Sequence, residues 1–98
     1  MRILEMNYQN RYGGIDLIAK DGEILVFVEV KTWETYGYSD LEYAVGREKR
    51  RKIVAVAREY LSRWEEEPPF CRFDLIFIPS SGGNFEYIQN AFTETGKL

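Results

Sequence analysis

The run "LVFVEVKT", Leu25 to Thr32, is apolar enough for a buried β-strand, yet it carries Glu29 and Lys31 two residues apart. Buried unpaired, such charges cost several kcal/mol, so a partner, a metal ion or water has to answer them. Asp16 stands thirteen residues upstream of Glu29. Two carboxylates beside a lysine suit a hard divalent cation: Mg²⁺ takes oxygen ligands and keeps several waters, so two carboxylates and a backbone carbonyl suffice. The lysine would orient or activate an attacking water, or stabilise charge on a phosphate. A plainer reading uses the same residues. Glu29 and Lys31, at i and i+2 on one strand face, can form a local ion pair that Asp16 joins or leaves for solvent.

Which reading applies depends on the elements that position the three. "RILEMNY" (Arg2 to Tyr8) and "GIDLIAK" (Gly14 to Lys20) read as strands, and Asp21-Gly22 is a turn signal between β-prone runs. A hairpin therefore joins the second strand to a third, Glu23 to Thr32. With Asp21-Gly22 as its two loop residues, Lys20 faces Glu23, Asp16 faces Phe27 and Gly14 faces Glu29. Asp16, Glu29 and Lys31 then project from one face, with Asp16 and Glu29 diagonal neighbours about 7–8 Å apart at the backbone. Gly14 would leave that face open to a substrate. A one-residue change in the loop would turn Asp16 to the other face.

Further along, Ser39-Asp40-Leu41-Glu42 has the capping-box form of a short helical start. After Gly46, residues Ile53, Val56, Ala57, Tyr60, Leu61 and Trp64 fall at helical spacing, and Pro68-Pro69 ends the helix. "CRFDLIFI" (Cys71 to Ile78) and "FEYIQNAF" (Phe85 to Phe92) complete the strands. The order β-β-β-α-β-β is an α/β sheet with one long helix packed on it. A sheet apolar on both faces needs cover on both sides; with one long helix visible, the second cover is expected from a second subunit or from an element ahead of Arg2.

Composition narrows the chemistry. The 98 residues suit one domain, and 45% hydrophobic with 30% charged residues is an ordinary globular balance. With no histidine, Ser-His and Cys-His catalytic pairs are excluded. Cys71 cannot make an internal disulfide and is expected to be a small buried hydrophobe. No apolar run reaches membrane length, so a cytoplasmic location with no membrane partner is expected. The net charge of −3 argues against nucleic-acid binding driven by overall charge.

The pattern of Asp16 followed by Glu29-Val30-Lys31 resembles the D…ExK core of restriction-endonuclease-like nucleases. More closely, "NYQNRYGGIDLIAKDG", "LVFVEVKT", "AVGREKRRKI" and "FDLIFI…IQNAF" are similar, in order and over nearly the whole chain, to the YraN family of small bacterial proteins related to archaeal Holliday-junction resolvases. The resemblance implies a restriction-endonuclease-like mixed β-sheet with one long helix, as a single nuclease-like domain over residues 1–98. It implies a divalent-metal-dependent endonuclease that hydrolyses DNA phosphodiester bonds; branched DNA is the substrate of the related resolvases. Asp16, Glu29 and Lys31 would be the catalytic set. Asp16, Glu29 and the carbonyl of Val30 would hold Mg²⁺ or Mn²⁺.

Three departures from the family pattern accompany it. A glutamate usually stands at the position of Gly14, a basic residue at that of Trp33, and a helix bearing a glutamate ahead of the first strand. That helix is expected to be absent here, which matches the missing sheet cover. The alternative is therefore a catalytically impaired nuclease fold that serves as a nucleic-acid-binding or protein-interaction scaffold.

Arg47, Lys49, Arg50, Arg51 and Lys52 crowd the first turns of the long helix, where cations oppose the helix macrodipole. A solvated face is the plainer explanation. Beside a nuclease-like core, contact with DNA phosphates is the expectation, Lys49 foremost. Asp74 is expected to pair with Arg72 or another basic residue. Trp33, Tyr36 and Tyr38 are expected to pack or to meet a second copy in a homodimer, with base stacking as the other option.

Overall fold

Alternation of apolar and polar residues, broken by Gly and Asp-Gly punctuation, yields five strands and one helix among the described residues. They are seen in a computed structural model that describes residues 1–33, 46–64, 70–79 and 82–92. Strands β1 (Arg2–Asn10), β2 (Gly13–Asp21) and β3 (Ile24–Trp33) precede helix α1 (Arg47–Ser62), and β4 (Cys71–Pro79) and β5 (Glu86–Phe92) follow it. The sheet runs β1-β2-β3-β4-β5. All neighbours are antiparallel except β3 and β4, which are parallel. A parallel pair needs a crossover connection, and α1 lies on it. This mixed sheet with one helix has the restriction-endonuclease-like arrangement that the resemblance implied.

The β2–β3 hairpin forms, with a different loop from the one expected. Asp21 pairs with Ile24, so Gly22-Glu23 are the loop residues. Gly22 takes φ +62°, the left-handed position that glycine adopts without steric cost at the head of a II′-type turn. Opposed residues are thus displaced by two from the expected register: Ile18 faces Phe27 and Leu17 faces Val28. A shift of two preserves which face each side chain takes, so the argument about faces survives.

Helix α1 covers one face. Ile53, Val54, Val56 and Ala57 are buried against Ile18, Leu25, Phe27, Phe73, Leu75, Phe77 and Phe92, with Tyr60, Leu61 and Trp64 packed at the margin. Phe73 stacks between Phe27 and Phe92, at 5.4 Å and 4.8 Å between ring centroids. The helix ends ahead of the two prolines, which lie outside the described residues. The amides of Arg63 and Trp64 bond to the carbonyls of Tyr60 and Leu61, a tightened last turn.

On the opposite face Ala19, Val26, Val28 and Asp74 are buried as well, so the centre of the sheet is covered on both sides within this chain. Asp74 does pair with Arg72, as expected. Both of its oxygens accept from Arg72 Nε (3.2 and 3.1 Å), Oδ2 also accepts from the Tyr87 hydroxyl, and Oδ1 accepts from the Asn90 amide at 2.8 Å. Arg72 further bridges to Asp21 at 3.2 Å. One carboxylate therefore ties β4 to β5, and its arginine ties β4 to the β2–β3 turn. Cys71 is half-buried and packs against the core. The Ser39–Glu42 capping box, Tyr36 and Tyr38 fall outside the described residues.

Candidate active site

The register that carries β2 along β3 brings Asp16 opposite Glu29, one step past the last pair, Leu17 with Val28. The ladder stops there. Instead of a backbone carbonyl, the Asp16 carboxylate oxygen Oδ2 accepts the Val30 amide at 2.8 Å. Asp16 therefore occupies the place where the two strands part, held by the backbone of the strand that bears Glu29 and Lys31. The geometry is closer than the diagonal relation expected from the sequence.

Glu29 is buried, with 6% of its surface exposed. Its pKa is pushed up to about 8, by burial first, then by a side-chain hydrogen bond with Asp16 and by that group's negative charge, while Lys31 pulls it down. Physically, two carboxylates have been drawn together without enough positive charge to keep both ionised. Burial and the neighbouring Asp16 carboxylate both favour the protonated form of Glu29. Lys31 follows on the same face of β3, half-buried, too weak an influence to offset burial. A simple Glu29–Lys31 ion pair does not describe this site, because Glu29 turns to Asp16.

Gly14 behaves differently from expectation. It pairs with Gln9 of β1, and a Cβ built on it would lie 3.1 Å from the Tyr8 carbonyl oxygen and 3.3 Å from Gln9 Nε2. A side chain there would crowd the hairpin partner, although Gly14 itself is exposed; the register displacement has moved it away from Glu29. Among the described residues, no group of three or more His, Cys, Asp and Glu is placed to hold a metal. Asp16 and Glu29 form the acidic pair by themselves there. Two carboxylates with no imidazole fit a hard cation that keeps much of its water, such as Mg²⁺ or Mn²⁺. Val30 contributes its amide to Asp16, and its carbonyl stays the expected third oxygen.

The basic run lies at the same end of the sheet. Tyr60 packs edge-on against Tyr8 (5.1 Å) and Phe27 (6.2 Å). Val56, one turn earlier, accepts from Asn10 Nδ2 at 3.2 Å and lies beside Gly13. Moving toward the helix start thus moves forward along β1. Since β1 and β3 run the same way, it also moves forward along β3, from Phe27 toward Lys31. Arg47, Arg51 and Lys52 are exposed, and Lys49 and Arg50 half-buried. Arg51 meets Glu48 at 3.6 Å. Arg50 shares the inward stripe of Ile53, Val54 and Ala57, and its Nε is buried without a hydrogen-bond partner among the described residues. Lys49, which the sequence singled out, and Arg50 are the two half-buried cations of the run. Helical spacing from Ile53 places both on or beside the buried stripe.

Residues 1–78 match the model of a family described as "Uncharacterised protein family UPF0102". A UPF0102 protein of Psychromonas ingrahamii is 42% identical over 94 residues, covering 96% of this chain and 76% of that protein. The UPF0102 protein STH1475 of Symbiobacterium thermophilum is 46% identical over 94 residues, covering 93% and 80%. In Nitrosospira multiformis, UPF0102 protein Nmul_A0195 is 42% identical over 91 residues, covering 92% and 76%.

Proposed function

We propose that this chain, which belongs to the uncharacterised protein family UPF0102, is a divalent-metal-dependent endonuclease that hydrolyses DNA phosphodiester bonds, with branched DNA as its candidate substrate. This is the YraN family that its motifs resemble. The observation that carries the reading is the convergence of Asp16 and Glu29 where β2 and β3 part, short of positive charge, with Lys31 on the same face of the strand.

Asp16 and Glu29 would hold Mg²⁺ or Mn²⁺, which would supply Lewis acidity to a phosphate oxygen and lower the pKa of bound water. The Val30 amide fixes the Asp16 carboxylate through Oδ2, leaving the rest of that carboxylate to face Glu29. Positive charge held there would favour the ionised form of Glu29. Lys31, a flexible point charge, is suited to orient the attacking water or to meet charge that develops on the phosphoryl oxygens. Arg50 and its neighbours at the helix start would hold the strand's backbone.

Cleavage of duplex, single-stranded and four-way DNA with Mg²⁺ or Mn²⁺ tests the reading. Activity is expected in the wild type and not in Glu29→Ala or Lys31→Ala; a wild type no more active than these variants would refute it. The lack of a carboxylate at Gly14 and the two-carboxylate set favour a second reading, a nucleic-acid-binding or protein-interaction scaffold on an impaired nuclease fold. That protein would bind DNA without turnover, and Mg²⁺ titration would leave Asp16 and Glu29 unperturbed. No helix among the described residues is long and apolar enough to cross a membrane. The expected homodimer is tested by mass in solution, where a monomer at micromolar concentration would exclude it.

A further inference from the structure

The tip of the β1–β2 hairpin, Arg11-Tyr12, belongs neither to the core nor to the carboxylate pair. Tyr12 is 44% exposed, and the Arg11 guanidinium lies over its ring, 5.0 Å from the centroid. An exposed tyrosine on a two-residue loop would ordinarily sample many positions. Here Asn10 fixes the loop: its Oδ1 accepts the Tyr12 amide at 2.9 Å, while its Nδ2 donates to the Val56 carbonyl of α1 at 3.2 Å. The ring is held with the backbone beneath it already ordered, so engaging a ligand sacrifices little further entropy.

Location gives this tip its meaning. It closes the end of the sheet toward which β3 carries Glu29 and Lys31. On α1, one turn from Val56 toward the helix start is the exposed Lys52, followed by Arg51 and Arg47. Tyr12 precedes Asp16 by four residues, about 13 Å along a strand, which is the length of roughly four stacked nucleotides. Arg11 reaches Glu59 only at 3.8 Å and is largely exposed, so a phosphate could replace that weak contact readily.

We propose that Arg11 and Tyr12 form a stacking site for an unpaired base of the DNA strand whose backbone runs to the carboxylate pair, Arg11 and Lys52 taking adjacent phosphates. The inference rests on the DNA reading above and sharpens it: the substrate has unpaired nucleotides within a few positions of the bond to be cut. A tyrosine ring with a cation on one face offers the other to any base, since every base has a π-face. Duplex DNA keeps its bases stacked and gains only the phosphate contacts.

The test measures binding of the full chain to a labelled single strand, the matching duplex and a four-way junction with Ca²⁺ present, by fluorescence anisotropy. Tyr12→Ala is expected to weaken single-strand binding roughly tenfold and to change duplex binding less than about twofold. Tyr12→Phe should bind as the wild type does, and Arg11→Gln should reduce the salt dependence by about one counterion for all three DNAs. Unchanged single-strand binding by Tyr12→Ala, or an equal loss for single strand and duplex, overturns the proposal. If that happens while the wild type still cleaves with Mg²⁺ and Glu29→Ala does not, the nuclease reading stands alone. A wild type that binds none of the three DNAs at micromolar concentration removes both.

Discussion

Replacing Glu29 by glutamine should stabilise the metal-free protein, and only where the pH is high enough to ionise a carboxyl in the unfolded chain. Folding raises the Glu29 pKa from 4.5 to about 8. Below the unfolded value both states hold the proton, and the group adds no pH dependence. Between the two values the unfolded chain has released the proton and the folded chain retains it, so stability falls as pH rises; above about 8 the loss is complete. At about 1.4 kcal/mol per pKa unit the ceiling is about 4–5 kcal/mol. Solvent screening where the strands part reduces it, and we expect about 2 kcal/mol. Glutamine keeps the shape and can still donate to Asp16 without ever charging. Urea melts in a chelator from pH 4 to 9 should therefore give coincident midpoints for wild type and Glu29→Gln at the acid end, diverging above pH 5. The variant should be ahead by about 1–2 M at pH 9 for a protein of this size. Parallel curves across the range, or a less stable variant at pH 9, would refute the claim that Asp16 and burial together hold a proton on Glu29.

The same proton makes metal binding pH-dependent. Isothermal titration with Mg²⁺ or Mn²⁺ in buffers of different ionisation enthalpy should show close to one proton released per metal below pH 8, and affinity rising with pH to about that value. Asp74→Ala should cost about 2–3 kcal/mol, read by urea melts, because it leaves the Tyr87 hydroxyl and Asn90 amide without their acceptor and Arg72 with only its bridge to Asp21. Gly14→Ala should destabilise by about 1 kcal/mol, since the new methyl meets the Tyr8 carbonyl before anything flexible can yield. Arg50→Met should leave stability unchanged or slightly improved, as it removes a buried Nε with no hydrogen-bond partner among the described residues, while weakening DNA binding.

Strand and helix positions were legible because period-two and period-3.6 patterns are written in side-chain polarity. Ile53, Val56 and Ala57 are buried as their spacing required. The face shared by Asp16, Glu29 and Lys31 was legible for the same reason. The register was not: Asp-Gly and Gly-Glu are both acceptable two-residue loops, and what decides between them is which alignment buries Ile18 against Phe27 and lets Asp16 take the Val30 amide. Tertiary contacts made that choice, and its consequences separated two residues that the sequence had put together. Asp16 moved directly beside Glu29, and Gly14 moved into the β1–β2 ladder. The Asp74 partners on β5 were equally hidden, since they depend on a bulge between the Phe73 and Leu75 pairings and on Asn90 at φ 57°, which turns an amide toward the carboxylate. Polar residues whose partners lie on another strand are settled only once the strands are aligned. For this protein, those alignments decide whether an apolar strand with two charges contains an ion pair or a place for a cation. The Asp16–Val30 hydrogen bond holds one carboxylate beside another, an arrangement that ion pairing within β3 alone would not require and that the proposed cation would use.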